Sequence, residues 1–357
     1  MPLRFCQRRS KAPPPALERL RPSAPVHAHL FERRYFQNKQ GYWLHYRRWD
    51  PPAWNSHQLF VVHGYAEHCG RYDNVALAFT NQGYRVYALD LLGHGASEGE
   101  RRVLHDLNHV VGDVAQLVEL AAEQYPRSRY GQNFLVGHAM GGLLVVAAVL
   151  KRPNLKIDGV LLSAPVLGAA GGMRWLGAFG GLAKTLAATF PTFEVPTGIE
   201  VEKLCRSKSV TEHARRDPLM GSAATAPLSM VSVVLDAMAY VEEQQARFSL
   251  PVFVQYGTAD RVISHEAIDG FLAEIASRVK KGRALPGWAH EIFLECEADC
   301  GVDGDSGWTT NDAVSAALAW TNTRAFSKSL DWTDEIFLEP EADCGVDDGS
   351  QYLANRK

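Results

Sequence analysis

Phe134-Leu135-Val136-Gly137-His138-Ala139-Met140-Gly141-Gly142 passes from an apolar strand pattern straight into a helical one, through a sharp turn flanked by glycines. This is the geometry of a nucleophile elbow, G-x-S-x-G, in which the central residue is held in a strained conformation with its side chain exposed above a sheet. The flanking glycines serve that strain. Here the central residue is Ala139. Alanine has no oxygen to attack a carbonyl, so the turn has the setting of a nucleophile without the nucleophile.

Outward from the elbow, short apolar runs at 59–62, 86–89, 134–136, 160–163 and 251–256 alternate with longer helical patterns at 103–125 and 140–151. The alternation predicts an α/β architecture, a mostly parallel central sheet with helices on both faces. Residues 31–49 alternate apolar and polar side chains around Asn38-Lys39-Gln40-Gly41, which reads as an antiparallel hairpin leading into that sheet. An insertion at about 169–249 breaks the rhythm and offers no clear strand. In a doubly wound fold an insertion at the carboxyl end of a strand overlies the ligand crevice, so this is a candidate helical cap. Within it Trp175, Leu176, Phe179, Leu182, Ala183, Leu186 and Phe190 recur at helical spacing, and Arg174 and Lys184 are the only charges over 171–192. Such a segment is either a membrane-touching helix that admits lipid or the buried face of a cap helix.

Downstream, Tyr256-Gly257-Thr258-Ala259-Asp260 ends a strand pattern with an acid at its carboxyl tip. Leu285-Pro286-Gly287-Trp288-Ala289-His290 then sets a histidine after the next short strand. Nucleophile position, aspartate and histidine thus follow in the order of a Ser-Asp-His triad. His290 is expected to take and return the proton, and Asp260 to fix the imidazole tautomer and stabilise the imidazolium. Either residue alone is as readily structural; order and spacing together give them a role. Val61-Val62-His63-Gly64-Tyr65-Ala66-Glu67-His68 follows the third strand pattern, where a loop amide must meet a developing oxyanion. The two oxyanion donors are assigned to the backbone amides of Tyr65 and Met140.

These segments resemble the monoacylglycerol lipase and lysophospholipase branch of the α/β-hydrolases. The likeness lies in His63-Gly64-Tyr65-Ala66-Glu67-His68-Cys69-Gly70-Arg71-Tyr72, similar to an HGxGEHxGRY segment. It also lies in Asp90-Leu91-Leu92-Gly93-His94-Gly95-Ala96-Ser97-Glu98-Gly99-Glu100-Arg101, in the GHSMGG-like elbow, and in Asp217-Pro218-Leu219 of the cap. It runs from about Phe31 to Glu295. The resemblance implies an α/β-hydrolase fold and hydrolysis of a carboxylic ester of a single-chain lipid, such as a monoacylglycerol or lysophospholipid. It implies no metal or organic cofactor and no nucleic-acid partner.

Two departures stand out. Ala66 occupies a position where the family has glycine, which is expected to crowd the oxyanion loop, and Ala139 replaces the serine. The alanine fits a substitution into an otherwise intact site, or a ligand-binding pseudoenzyme or receptor on the same fold. A different nucleophile fits less well, because the aspartate-based relatives also need a side chain at the elbow. Ser306, in Gly304-Asp305-Ser306-Gly307, has the wrong spacing for an elbow, and Ser163 lies within a strand pattern.

Composition sets the outer limits. The 357 residues are 46% hydrophobic and 22% charged, with a net charge of -3, which excludes a disordered or fibrous chain. The charge is uneven: 1–29 holds six basic residues against Glu18, while 295–348 holds fourteen acidic residues against Arg324 and Lys328. Six scattered cysteines favour a reducing, cytoplasmic setting over a disulfide framework. The arginine-rich start reads as a disordered arm, given Ala12-Pro13-Pro14-Pro15, with organelle targeting as the alternative. Residues 288–303 partly reappear from Trp332 to Asp347, with Asp334 in place of His290. Asp299, Asp303 and Asp305 mimic the start of a calcium loop, but Gly301 and Thr310 fall where ligands are required, so no metal site is expected. The expected plan is a basic arm at 1–30, a hydrolase domain at 31–326 closing with a helix over 309–326, and an acidic tail at 327–357.

Overall fold

The computed structural model describes residues 32–128, 130–168, 180–294 and 312–329. The basic arm, the calcium-like aspartates, the tail beyond Ser329, and Trp175, Leu176 and Phe179 of the cap lie outside the described residues.

Eight strands form the main sheet: β1 (Glu32–Gln37), β2 (Trp43–Trp49), β3 (Gln58–Val62), β4 (Arg85–Leu89), β5 (Asn133–His138), β6 (Gly159–Ser163), β9 (Val252–Gly257) and β10 (Lys280–Leu285). Their order is β1-β2-β4-β3-β5-β6-β9-β10; β2 pairs antiparallel with both β1 and β4 and every other pairing is parallel, as the alternation of patterns and the leading hairpin predict. The apolar strands alternate between two cores. Leu59, Val61, Val86, Ala88, Phe134 and Val136 face one, while Phe60, Val62, Tyr87, Leu89 and Leu135 face the other. Both faces are therefore closed by helices, which is why these strands read as continuous apolar runs.

On the first face lie α1 (Asp73–Thr80) and α8 (Asp312–Ser329), whose Val75, Phe79, Val314 and Ala317 join that core. The second face carries α2 (Leu107–Gln124) and α3 (Met140–Lys151). Every residue of α3 from Met140 to Ala148 is buried, because it is sandwiched between the sheet and the helices α2 and α6 (Leu228–Gln244). The helix pattern at 103–125 starts too early. Val103 and Leu104 are buried in a turn after Arg102, which has φ 62, and Asp106 caps the helix by accepting the Asn108 N–H at 2.6 Å. Apolar phasing ran through the turn and concealed the boundary. The closing helix spans Asp312–Ser329, against the 309–326 read from sequence.

The insertion contains α4 (Gly180–Thr189), α5 (Lys208–Arg216) and, contrary to expectation, two strands, β7 (Glu194–Pro196) and β8 (Thr225–Pro227), paired antiparallel. At three residues each, both ending in proline, they are too short to show a period. Helix α4 packs on α6. Its Ala187 is buried, whereas Leu186 is 39% exposed, and Phe190 and Phe193 just beyond it are 57% and 62% exposed. The cap helix thus has both a buried side and an exposed apolar one. The rest of the cap is pinned to the domain. Ala66 O accepts the Gly221 N–H at 2.7 Å, His68 bonds Asp217 at 2.8 Å, and Arg102 reaches Glu194 at 2.7 Å and Thr225 O at 2.8 Å.

Candidate active site

The elbow stands at the carboxyl end of β5, in the middle of the sheet. Ala139 has φ 50 and ψ -117, and its N–H donates to Ser163 O at 2.9 Å. A non-glycine residue in this region costs on the order of 1–3 kcal/mol and persists only where its surroundings fix it. Here they do. A Cβ on Gly141 would lie 2.2 Å from Val62 O and 2.4 Å from His63 O, and one on Gly137 would lie 2.5 Å from Gly141 O. The glycines are therefore required for close approach of β3 and α3 as well as for the turn itself.

Asp260 follows β9. Its Oδ1 accepts the Val262 N–H at 2.8 Å, and its Oδ2 accepts from His290 Nδ1 at 2.7 Å. Gly257 makes this pairing possible, since a Cβ there would strike Trp288 O at 2.2 Å and Ala289 O at 2.4 Å. The histidine loop is held from the cap side as well: the His290 and Glu291 N–H groups both donate to Leu204 O at 2.9 Å. Burial alone would lower the His290 pKa, but the Asp260 carboxylate, assisted by Glu291 and Glu67, raises it above the usual 6.5. Burial likewise opposes ionisation of Asp260, and His290 with the backbone amides outweighs it, so that carboxyl is held below 3.8.

Stability from the raised His290 pKa is present below about pH 6.5 and is lost as pH rises through the folded value. Stability from Asp260 is lost as pH falls through its depressed value. A neutral His290 is needed to accept a proton, so in an Ala139→Ser protein the acid limb of kcat/KM is expected to have its midpoint above 6.5. A pH–rate profile with p-nitrophenyl esters checks this; a midpoint below 6.5 would contradict the pairing.

Ala139 and His290 meet at one cavity. Tyr65 and Met140 line it too, whereas Asp260 stands behind His290 and outside the lining. Met140 is the first residue of α3, where a helix N–H has no intrahelical acceptor. The structure therefore brings together Ala139, His290, Tyr65 and Met140 at the cavity, with Asp260 one hydrogen bond away. Ile199, Leu204, Met230, Val231, Val234 and Met238 furnish an apolar wall from the cap and α6. Ala66 has φ 62 and is buried, so its departure from glycine is felt as left-handed backbone strain of about 1–2 kcal/mol.

No sequence pattern assigns a role to Glu67, Arg71, His138 or Glu291, which form a largely buried polar cluster beside Ala139 and His290. Glu67 and Arg71 lie within the quoted HGxGEHxGRY-like segment, but the partner Glu291 is 220 residues away from Arg71. His63 is also structural: burial lowers its pKa, its Nε2 accepts the Leu91 N–H at 3.0 Å, and Nδ1 bonds Gly64 O at 2.7 Å. His45, Cys69 and Asp90 cluster closely enough to hold a metal ion. Asp90, however, is already engaged by the Cys69 and Ala96 N–H groups at 2.7 and 2.8 Å and by His45 at 2.7 Å, which describes a loop anchor.

Comparison with known proteins agrees with this architecture. Residues 55–297 match the family described as serine aminopeptidase, S33. The monoglyceride lipase of Mus musculus is 32% identical over 291 residues, covering 80% of this chain and 89% of that protein. The monoacylglycerol lipase of Mycolicibacterium smegmatis is 30% identical over 263 residues, covering 74% of this chain and 91% of that one. Among solved structures, the monoacylglycerol lipase of Paleococcus ferrophilus superposes with a TM-score of 0.65 at 26% identity, over 78% of this chain and 98% of that one. By sheet order, elbow and sequence likeness, the chain belongs to the monoglyceride-lipase-like α/β-hydrolases of the S33 serine aminopeptidase family.

Proposed function

We propose that the chain binds the ester of a single-chain lipid, a monoacylglycerol or lysophospholipid, in a site built for acyl transfer, and that Ala139 leaves it without acyl-enzyme turnover. The observation that carries this reading is the juxtaposition of Ala139 and the Asp260-bonded His290 on the lining of a deep apolar cavity. An acyl chain gains about 0.8 kcal/mol per buried CH₂, and a wall of valine, leucine, isoleucine and methionine suits it. The ester carbonyl would lie over Ala139, facing the amides of Tyr65 and Met140.

With a serine at 139, its Oγ attacks the carbonyl carbon as its proton passes to His290 Nε2. The tetrahedral oxyanion is held by the two amides, and the leaving alcohol departs with the proton from His290. Water then repeats the sequence on the acyl-enzyme. With alanine there, the first bond cannot form. Water activated by His290 is the remaining route, with a rate about 10³–10⁴-fold above the uncatalysed one. The test is hydrolysis of a long-chain monoacylglycerol by the Ala139→Ser protein.

Ala139 itself favours a second reading, a non-catalytic lipid receptor on the same fold. Saturable lipid binding combined with no hydrolysis by Ala139→Ser would select it.

The exposed Leu186, Phe190 and Phe193 support peripheral membrane contact through the cap, since large apolar side chains are otherwise withdrawn from water. Among the described residues no helix is long and apolar enough to cross a bilayer. Co-sedimentation with phosphatidylcholine vesicles is expected to fall severalfold in Phe190→Ser/Phe193→Ser; unchanged binding, or none by the parent protein, would rule out this contact.

A further inference from the structure

Beside the cavity lies a second, small space, and Glu67, His138 and Glu291 line both. These side chains are the partition, and one cation knits it. Arg71 Nη1 donates to Glu67 Oε2 at 2.9 Å and to Glu291 Oε1 at 3.2 Å. Glu67 Oε1 in turn accepts the Gly64 N–H at 2.5 Å and the Tyr72 hydroxyl at 2.8 Å. A Cβ on Gly64 would lie 2.8 Å from Glu67 Oε1 and 3.2 Å from the Ala139 Cβ, so carboxylate, oxyanion loop and elbow are stacked in contact. Glu291 directly follows His290, and its Oε2 lies 3.8 Å from Nε2 of His138, the residue before Ala139.

Withdrawing two carboxylates and a guanidinium from water is costly, and well-packed apolar side chains would serve stability at least as well. What an apolar partition could not do is bind three loops by directional contacts. We infer that Arg71 is a positioning residue which, through Glu67 and Glu291, holds the oxyanion loop, the elbow and the general-base loop in one register. By taking up the Gly64 N–H, Glu67 leaves the Tyr65 amide as the loop's donor. The same carboxylates face His290 alongside Asp260 and His138, so they also favour its imidazolium. The inference rests on the acyl-transfer reading above for its kinetic consequence, though the brace itself has a readout without turnover.

Two variants test it, Glu67→Gln and Arg71→Lys, each made in the Ala139 protein and in Ala139→Ser. In the Ala139 protein, NMR is expected to show Gly64 amide exchange accelerated by about tenfold or more in both variants. The His290 titration midpoint should fall in Glu67→Gln, which removes one of the charges that favour the imidazolium. In the Ala139→Ser background, kcat should fall by about 10² in both variants, with KM within about threefold, because an oxyanion donor is displaced while the apolar wall is untouched. Unchanged Gly64 exchange and an unchanged His290 midpoint would overturn the inference, as would lowered melting temperature with kcat intact. If Ala139→Ser is inactive but both NMR changes appear, the brace stands and the hydrolase reading is what fails.

Discussion

Ala139→Ser is expected to raise kcat on a long-chain monoacylglycerol by on the order of 10⁵–10⁶ over the Ala139 protein, because removing the nucleophile from a serine-hydrolase triad costs about that much. The gain is large because nothing else has to move. The backbone at 139 already has φ 50 and ψ -117, and Gly137 and Gly141 give the turn the close contacts it needs. Serine adds one oxygen to a Cβ that lines the cavity beside His290. Comparing steady-state glycerol release for the two proteins at matched concentration checks it. A gain below about tenfold would mean that the intact acid and base do not serve this chemistry.

Within that active background, Asp260→Asn is expected to lower kcat by about 10⁴ with little change in KM. An asparagine amide can donate to His290 Nδ1, which places the ring proton on Nε2, where the serine proton must be accepted. It also removes the charge that most favours the imidazolium, with the Nδ1–Oδ2 pair at 2.7 Å as its geometric basis. KM is spared because Asp260 does not line the cavity. A fall in kcat of tenfold or less would make Asp260 a structural acid and require a different partner for His290.

The sequence was most informative where chemistry is local. The elbow is legible because its glycines stand at fixed offsets around Ala139, and their reason is steric: Gly141 touches the carbonyls of Val62 and His63. The parallel sheet is legible because strands covered on both faces become continuous apolar runs, as in β3 and β4. The order of Ala139, Asp260 and His290 is legible along the chain, and the last two meet at 2.7 Å. What was hidden depends on distance or on backbone. The Arg71–Glu291 pairing spans most of the chain, and the carbonyl of Leu204 that receives His290 and Glu291 has no side-chain signature. Strands β7 and β8 are too short for a period, and the first turn of the expected helix at 103 was apolar for burial in a loop.

On the proposed reading, the serine-hydrolase site lacks only the oxygen at 139. Intact-mass analysis after exposure to a fluorophosphonate tests it most directly, because the probe bonds only to an activated hydroxyl and needs no knowledge of the natural substrate. The expected result is one adduct on Ala139→Ser, mapped to position 139, and none on the Ala139 protein. An adduct on the Ala139 protein, or none on Ala139→Ser, would show that position 139 is not the nucleophile's place.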